Sequence, residues 1–221
     1  MPGNKAHASR VAPAGPIPEA PRPNQGAGLF FAAPMLPNWK DIAYLRHGSA
    51  AQQRAYHALH DADLLARLRP FDHVLVGTFP LDLTVPGSDL DIVCEVSNEA
   101  SFRQALAGFA SYPGYAVRPA GTAVPAVVVS FELAGLPVEI FGQAVPTVRQ
   151  YGYRHLVVEA RLLALGGPAL RAQALALKAA GLKTEPAFAR LLGLPGNPYQ
   201  ALLALETEPD AALRQLLAAR P

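Results

Sequence analysis

Apolar side chains recur at helical spacing early in the chain. Ser49, a favourable N-cap residue, precedes the pattern, and Pro70 interrupts it. Between them the apolar positions follow one another every three or four residues, at Ala55, Leu59, Ala62, Leu65 and Leu68. The pattern therefore predicts one amphipathic helix that begins after Ser49 and ends at Arg69.

Short apolar runs that end at turn residues follow this helix and predict strands. The first run ends at Gly77, and the last two are separated by Ala134-Gly135, which is typical of a hairpin. One helix, predicted for 99–109, interrupts the series. The predicted strands cover 73–76, 90–96, 115–118, 126–133 and 136–141.

The pattern changes after Pro146, where only helical periodicity is found. The Gly-Gly-Pro run at 166–168 ends the first of these helices, Gly181 ends the second, and Thr184 is predicted to cap a short third helix. The other predicted helices cover 147–165, 170–180, 199–205 and 211–219.

These patterns divide the chain into three regions. Residues 1–37 combine Pro, Ala and Gly without an apolar period, and they predict a disordered tail because they cannot bury enough apolar surface. Residues 38–146 predict an α/β (α+β) domain with a small mixed sheet and flanking helices. Residues 147–221 predict a helical C-terminal region that packs on this domain.

Composition narrows the class of protein. The chain of 221 residues is 51% hydrophobic and 16% charged, which argues against a wholly disordered protein. No apolar run reaches the length of about 18 residues that a membrane span needs, and the first residues lack the pattern of a signal peptide. The single cysteine excludes an internal disulfide and fits a cytoplasmic protein. A net charge of +2, without a long basic stripe, does not favour a nucleic-acid partner.

Paired carboxylates begin the second strand. Asp89 and Asp91 alternate with apolar residues, so they project from one face of an extended chain, about 7 Å apart. A divalent cation would relieve their repulsion, and hard oxygen ligands suit Mg²⁺, with Mn²⁺ as the alternative. Glu139 is a lone acid in a later apolar strand and is a natural third ligand.

Candidate phosphate contacts lie near these acids. Gly77 permits close approach of a phosphate to the backbone, and Thr78 adds a hydroxyl group. Ser88 is a second hydroxyl candidate. Lys183 stands out because the chain has only four lysines, and it is a candidate for contact with a triphosphate, although a solvated lysine is the simpler interpretation.

Other polar residues have an ordinary structural explanation as well. Tyr151, His155 and Glu159 share one face of a predicted helix, and a solvent-exposed ladder is favoured over a place in a cleft. Taken alone, each of the main features also has an ordinary structural explanation. The acid pair would cap the edge of a strand, the glycine would form a turn, and Glu139 would pair with an arginine. Together, and in this order, the acids and the glycine are typical of two-metal phosphoryl transfer.

The set resembles the nucleotidyltransferase superfamily of the DNA-polymerase-beta type. Its motif corresponds to Val76-Gly77-Thr78 followed by Asp89-Leu90-Asp91-Ile92, with Glu139 as the later acid. Residues 40–206 further resemble an uncharacterised bacterial family, a domain of unknown function within that superfamily. The resemblance implies that the three acids are catalytic and bind metal, and that Gly77 and Thr78 hold nucleotide phosphates. Two departures are Thr78, where Ser or Gly is usual, and residues 79–85, which predict extended or irregular chain instead of the usual short helix.

The expected function is Mg²⁺-dependent transfer of a nucleotidyl group from a nucleoside triphosphate to an acceptor hydroxyl. The acceptor stays open among a small antibiotic, a protein side chain and an RNA end, and the oligomeric state is not predicted. A catalytically degenerate module that binds a partner is the alternative. A two-metal phosphohydrolase, with water as the acceptor, would use the same acids.

Overall fold

The computed structural model of the protein describes residues 37–121 and 124–220. The tail predicted for residues 1–37 therefore lies outside the described residues up to position 36. Short 3-10 helices occur at Ile42–His47, Arg69–Phe71, Ala107–Phe109 and Thr147–Arg149. The α-helices are α1 (Ala50–Asp61), α2 (Leu64–Leu68), α3 (Thr78–Leu81), α4 (Glu99–Leu106), α5 (Tyr151–Ala179), α6 (Thr184–Leu191), α7 (Pro198–Leu203) and α8 (Asp210–Ala218).

Five strands form one mixed sheet. They are β1 (Val74–Val76), β2 (Leu90–Glu95), β3 (Ala116–Ala120), β4 (Ala126–Leu133) and β5 (Leu136–Gln143). Their order across the sheet is β1-β2-β5-β4-β3. The β2–β5 pair is parallel, and the other pairs are antiparallel. The predicted fold class, a small mixed sheet with flanking helices followed by a helical region, is confirmed.

The two faces of the sheet pack against different helices. Side chains alternate between faces along a strand, so Leu75 and Ile92 join one core with residues of α1, α2 and α4. Val76 and Val93 point the other way and join a second core with residues of α5 to α8. No described helix is long and apolar enough to cross a membrane.

The N-terminal helical segment differs from the prediction. Ser49 caps α1 as expected, and its hydroxyl accepts a hydrogen bond from the Gln52 amide while the Gln52 side chain bonds back to Ser49. The single predicted helix is divided, however, because Asp63 adopts a left-handed conformation with φ 53° between α1 and α2.

The predicted ends of the C-terminal helices are largely confirmed. Gly167 breaks α5 with φ 65° and ψ −163°, where the Gly-Gly-Pro run predicted a stop. Gly181 follows the end of α5, and its amide bonds to the Lys178 carbonyl. Thr184 is not the N-cap of α6, because Lys183 occupies that position and the Thr184 hydroxyl accepts a hydrogen bond from Lys178.

The segment after β1 is the main departure. Residues 79–85 were expected to be extended or irregular, but Thr78–Leu81 form the helical turn α3. Pro80 is tolerated there because the amide groups of a first helical turn have no intrahelical partner. Two contacts hold this turn from outside: Gln52 Nε2 donates to the Phe79 carbonyl at 2.8 Å, and Arg171 donates to the Leu81 carbonyl.

Candidate functional site

A cavity of about 900 Å³ lies where the sheet meets the helical region. Both parts of the fold contribute polar side chains to it. We define the sheet wall as Gly77, Thr78, Asp89, Asp91, Arg118 and Glu139. We define the helical wall as His155, Glu159, Lys178, Lys183, Thr184 and Glu185.

The paired strands at the centre of the sheet bring two of the predicted acids together. Asp91 of β2 is directly in register with Glu139 of β5, and its other neighbour is Val76 of β1. Asp89 lies just before β2 and lines the same cavity. The pairing of β2 with β5 therefore brings Asp91 and Glu139 side by side, although a long stretch of chain separates them.

Acidic side chains are concentrated around Asp91. Burial, together with repulsion from Asp89, Glu139 and Glu185, raises the pKa of the Asp91 carboxyl to about 8. Lys183 acts in the opposite direction and lowers the same pKa. A bound cation near Asp91 would favour its ionised form for the same electrostatic reason.

Gly77 places the backbone directly beside this carboxylate. It adopts φ 73° and ψ −142°, and a Cβ atom at this position would lie 2.6 Å from Asp91 Oδ2. Glycine is therefore required both by the backbone conformation and by the space. Thr78 follows at the start of α3, and its buried Oγ1 has no hydrogen-bond partner among the described residues.

Glu139 is engaged by an arginine of the sheet. Its Oε2 lies 2.6 Å from the Arg118 guanidinium, and both side chains are partly exposed. Within the residues 37–121 and 124–220, no three His, Cys, Asp or Glu side chains form a group that could hold a metal ion. An arginine partner is the ordinary structural explanation predicted for Glu139, but no pattern in the sequence identifies that partner as Arg118.

The helical wall contains two buried ionisable groups. Lys178 is only 7% exposed, and its Nζ donates to Thr184 Oγ1 at 2.8 Å. Burial lowers the pKa of Lys178, against the attraction of Glu159, Glu185, Asp89 and Asp91. Glu159 is 2% exposed, its Oε1 has no hydrogen-bond partner within the described chain, and burial followed by repulsion from Glu185 raises its pKa well above the usual value.

His155 and Glu185 connect helices within this wall. His155 Nδ1 lies 3.6 Å from Glu185, and its Nε2 lies 3.0 Å from the Tyr199 carbonyl. The expected solvent-exposed ladder on this face is therefore wrong for His155 and Glu159, which are buried, and holds only for Tyr151. The sequence feature that indicates the burial of Glu159 is its position within an apolar run, between Val158 and Ala160.

Ser88 does not join the other candidate residues. Its Oγ accepts a hydrogen bond from the Val85 amide at 2.9 Å and so closes the turn before β2. It lines a separate cavity of about 410 Å³. Lys183, by contrast, lies in the main cavity with Asp91, as a phosphate contact would require.

Comparisons with known proteins give one family and several distant structural neighbours. A family model described as a domain of unknown function, DUF4269, matches residues 57–205, more than half of the chain. No curated protein is significantly similar in sequence.

The structural neighbours include RNA-modifying polymerases of low sequence identity. Cid1 poly(U) polymerase with MgGTP bound is 16% identical with a TM-score of 0.48, over 66% of this chain and 51% of that one. The polymerase core of TRAMP, an RNA surveillance complex, is 20% identical with a TM-score of 0.42, over 80% and 59%. A cytoplasmic RNA terminal U-transferase is 14% identical with a TM-score of 0.42, over 67% and 42%. The chain thus spans only about half the length of these proteins.

Proposed function

The chain belongs to the DUF4269 family, and we propose that it is a nucleotidyltransferase that moves a nucleotidyl group from a nucleoside triphosphate to an acceptor hydroxyl. The observation that carries this proposal is the environment of Asp91. This carboxylate is in register with Glu139, packs against Gly77 and shares a cavity with two lysines. Concentrated carboxylates next to cationic side chains are the combination that phosphoryl transfer uses.

The chemistry of the acids fits a divalent cation. Asp89, Asp91 and Glu139 supply hard oxygen ligands. Burial first, and repulsion from neighbouring acids second, raise the pKa of Asp91, and a cation would oppose both effects by stabilising the ionised carboxylate. As they stand, the described side chains do not form a three-ligand group, and Glu139 is paired with Arg118. With Glu139 released from Arg118, these three residues would hold Mg²⁺, or Mn²⁺ in its place. When bound, the ion would supply Lewis-acid stabilisation of charge on the phosphate oxygens and on the attacking hydroxyl.

Residues of both walls would hold the triphosphate. The Gly77 backbone has no side chain to prevent close approach, and the unpartnered Thr78 hydroxyl is free to donate a hydrogen bond to a phosphate oxygen. Lys183 would pair with a phosphate from the helical wall. Lys178 adds a second ammonium group near Asp89 and Asp91, and Thr184 fixes its direction.

Glu139 is the candidate for orienting the acceptor. In this proposal one carboxylate oxygen accepts the hydrogen bond of the acceptor hydroxyl and takes its proton as the oxygen attacks the α-phosphorus atom. The bond between the α-phosphorus and the bridging oxygen breaks, and pyrophosphate leaves. The acceptor gains a nucleotidyl group, so that atoms and charge balance.

The test uses α-labelled nucleoside triphosphates, Mg²⁺ and a cell extract, and asks which molecule becomes labelled. We expect wild-type protein to label an acceptor and to release pyrophosphate. Asp91→Asn and Glu139→Gln should abolish labelling, whereas Asp61→Asn, which changes an exposed acid of α1, should leave it unchanged. Absence of labelling in the wild type with every triphosphate would overturn the proposal, and release of free phosphate without a labelled acceptor would indicate a phosphohydrolase.

One observation favours a second candidate function. Arg118 engages Glu139, the third of the predicted metal ligands, in an ion pair. This is expected of a catalytically degenerate module that binds a nucleotide or a partner without transferring a group. Triphosphate binding measured by calorimetry, together with no transfer to any acceptor, would support this candidate. Labelling that disappears in Glu139→Gln would exclude it.

A further inference from the structure

Arg118 crosses the sheet to reach Glu139. It belongs to β3, an edge strand, and β4 lies between β3 and β5. The β4 residue opposite Glu139 is Ser130, whose small side chain leaves room on this face. Arg118 lies in register with Val128, two residues from Ser130, so all of these side chains share one face. The contact between Arg118 and Glu139 therefore depends on the order of the strands in the sheet, which places β3 and β5 on either side of β4.

The ion pair is of a kind that a ligand can displace. Arg118 is 53% exposed and Glu139 is 38% exposed at the side chain. Exposed pairs of this type contribute little to stability, because water and salt solvate both partners well. Both residues also line the main cavity, so an incoming ion or substrate has access to them.

A guanidinium group and a divalent cation compete for the same carboxylate. Both are positively charged, and at neighbouring positions they repel each other. An arginine side chain that is released from its carboxylate inside a cavity can bind another anionic group. The planar guanidinium group is well shaped to donate paired hydrogen bonds to a phosphate or a carboxylate.

We propose, on the basis of the nucleotidyltransferase function above, that Arg118 and a divalent cation are alternative partners of Glu139, and that the released guanidinium binds an anionic group of the acceptor. The acceptor is then a hydroxyl compound that carries a phosphate or carboxylate near the attacking oxygen. An acceptor with several amino groups and no anionic group is disfavoured at this position by charge repulsion.

The other arginines of the cavity agree with an anionic acceptor. Arg149 follows the end of β5, lines the same cavity and forms no ion pair with any residue that the structure describes. Arg154 is already engaged, because it forms three hydrogen bonds with Glu206. Arg118 and Arg149 are therefore the two guanidinium groups of this cavity that a displaced or entering anion would meet.

The first test measures Mn²⁺ binding to the full chain by electron paramagnetic resonance. We expect Arg118→Ala to bind Mn²⁺ about two- to fivefold more tightly than the wild type, the range that loss of an exposed ion pair allows. Arg103→Ala is the matched control, because Arg103 forms a similarly exposed pair with Glu99 on α4, away from the cavity. Its Mn²⁺ affinity should equal that of the wild type.

The second test adds sulfate as an anionic probe at constant ionic strength. Linkage requires that an anion which binds the released Arg118 also strengthens Mn²⁺ binding. We expect sulfate to increase the Mn²⁺ affinity of the wild type and of Arg103→Ala, and to have no effect on Arg118→Ala. An equal effect of sulfate on Arg118→Ala would show that the anion binds elsewhere, and would overturn the assignment.

The outcomes separate this inference from the proposed function. Mn²⁺ binding that is lost in Asp91→Asn but equal in the wild type and Arg118→Ala would overturn only the role of Arg118. Absence of Mn²⁺ binding in every variant would overturn both proposals. Circular dichroism melting curves confirm that each variant is folded before its affinity is compared.

Discussion

The two walls of the cavity are built in different ways. The sheet wall takes its acids from central strands, where Asp91 and Glu139 are fixed by backbone register. The helical wall takes His155, Glu159 and Lys178 from the long helix α5, and Lys183 from the start of α6. Acids and a glycine dominate the first wall, whereas the second carries the two lysines.

The two walls also differ in the charges that surround their buried ionisable side chains. Asp91 is surrounded by three acids, Asp89, Glu139 and Glu185, and either a bound cation or a proton would relieve the repulsion among them. Lys178 and Glu159 oppose each other in charge, and each shifts the pKa of the other toward its charged form. The sheet wall has one internal ion pair, between Arg118 and Glu139, but Asp91 forms no ion pair within the described residues. In the helical wall, by contrast, the buried acid and the buried lysine act on each other.

The largest expected effect comes from a change in the sheet wall. Gly77→Ala places a methyl group in contact with Asp91 and forces a non-glycine residue to φ 73°. We expect it to lower the free energy of unfolding by about 1–3 kcal/mol and to abolish nucleotidyl transfer. Chemical denaturation measures the first effect, and the labelling assay measures the second.

Gly87→Ala is its matched control, because Gly87 has φ 85° but no atom within 4 Å of the added methyl group. Gly87→Ala should lower the free energy of unfolding by about 1 kcal/mol, which is the cost of a non-glycine residue at a positive φ angle without any steric contact. Equal losses of stability in the two variants would mean that the contact with Asp91 has no consequence.

A smaller effect is expected from the lysine of the helical wall. Lys183→Gln removes a cation that acts on Asp91 and would contact phosphate. We expect it to weaken triphosphate binding about tenfold, with a smaller salt dependence, since one charge-assisted contact is lost. Calorimetry at two ionic strengths measures this. Lys40→Gln, which changes an exposed lysine paired with Asp72, should bind like the wild type, and an equal loss there would contradict the assignment.

The smallest expected effect concerns the pH dependence of stability. The pKa of Glu159 is raised by folding, so the native state retains a proton that the unfolded chain releases above pH 4.5. The wild type should therefore lose stability relative to Glu159→Gln as the pH rises above this value. Lys178 and Glu185 are the charged groups that act on Glu159, and they oppose each other.

Urea denaturation of both proteins at pH 4.5 and pH 8 measures this difference. Glu132→Gln changes an exposed acid near the end of β4; it is the control and should follow the wild type. Parallel stability curves for the wild type and Glu159→Gln would contradict the interpretation of Glu159 as a group buried at an electrostatic cost.

Local pattern was sufficient to predict much of the fold. Short apolar runs bounded by turn residues predicted every strand to within about two residues, and the Gly-Gly-Pro run predicted the break in α5. The prediction of a family described as a domain of unknown function is confirmed, while its bacterial origin stays a prediction. The helical turn α3 was missed because the position of Pro80 relative to the start of the helix decides whether proline is tolerated.

Only some residues of the candidate site could be predicted from local sequence patterns. Asp89, Asp91 and Gly77 lie close together in sequence, so a motif could identify them as candidates. The neighbours of Glu139 depend on strand order, and the pairing with Arg118 across β4 leaves no local pattern. The burial of Glu159 depends on how α5 packs, which the periodicity of one helix does not determine.

The attachment of α3 has a consequence for how a ligand would be received. Gln52 from α1 and Arg171 from α5 hold the carbonyl groups of this single turn, which is too short to persist by itself. The loop at Gly77 is thus fixed before any ligand arrives, and binding need not include the entropic cost of ordering it. Two side chains more than a hundred residues apart in sequence therefore set the resting shape of a four-residue turn.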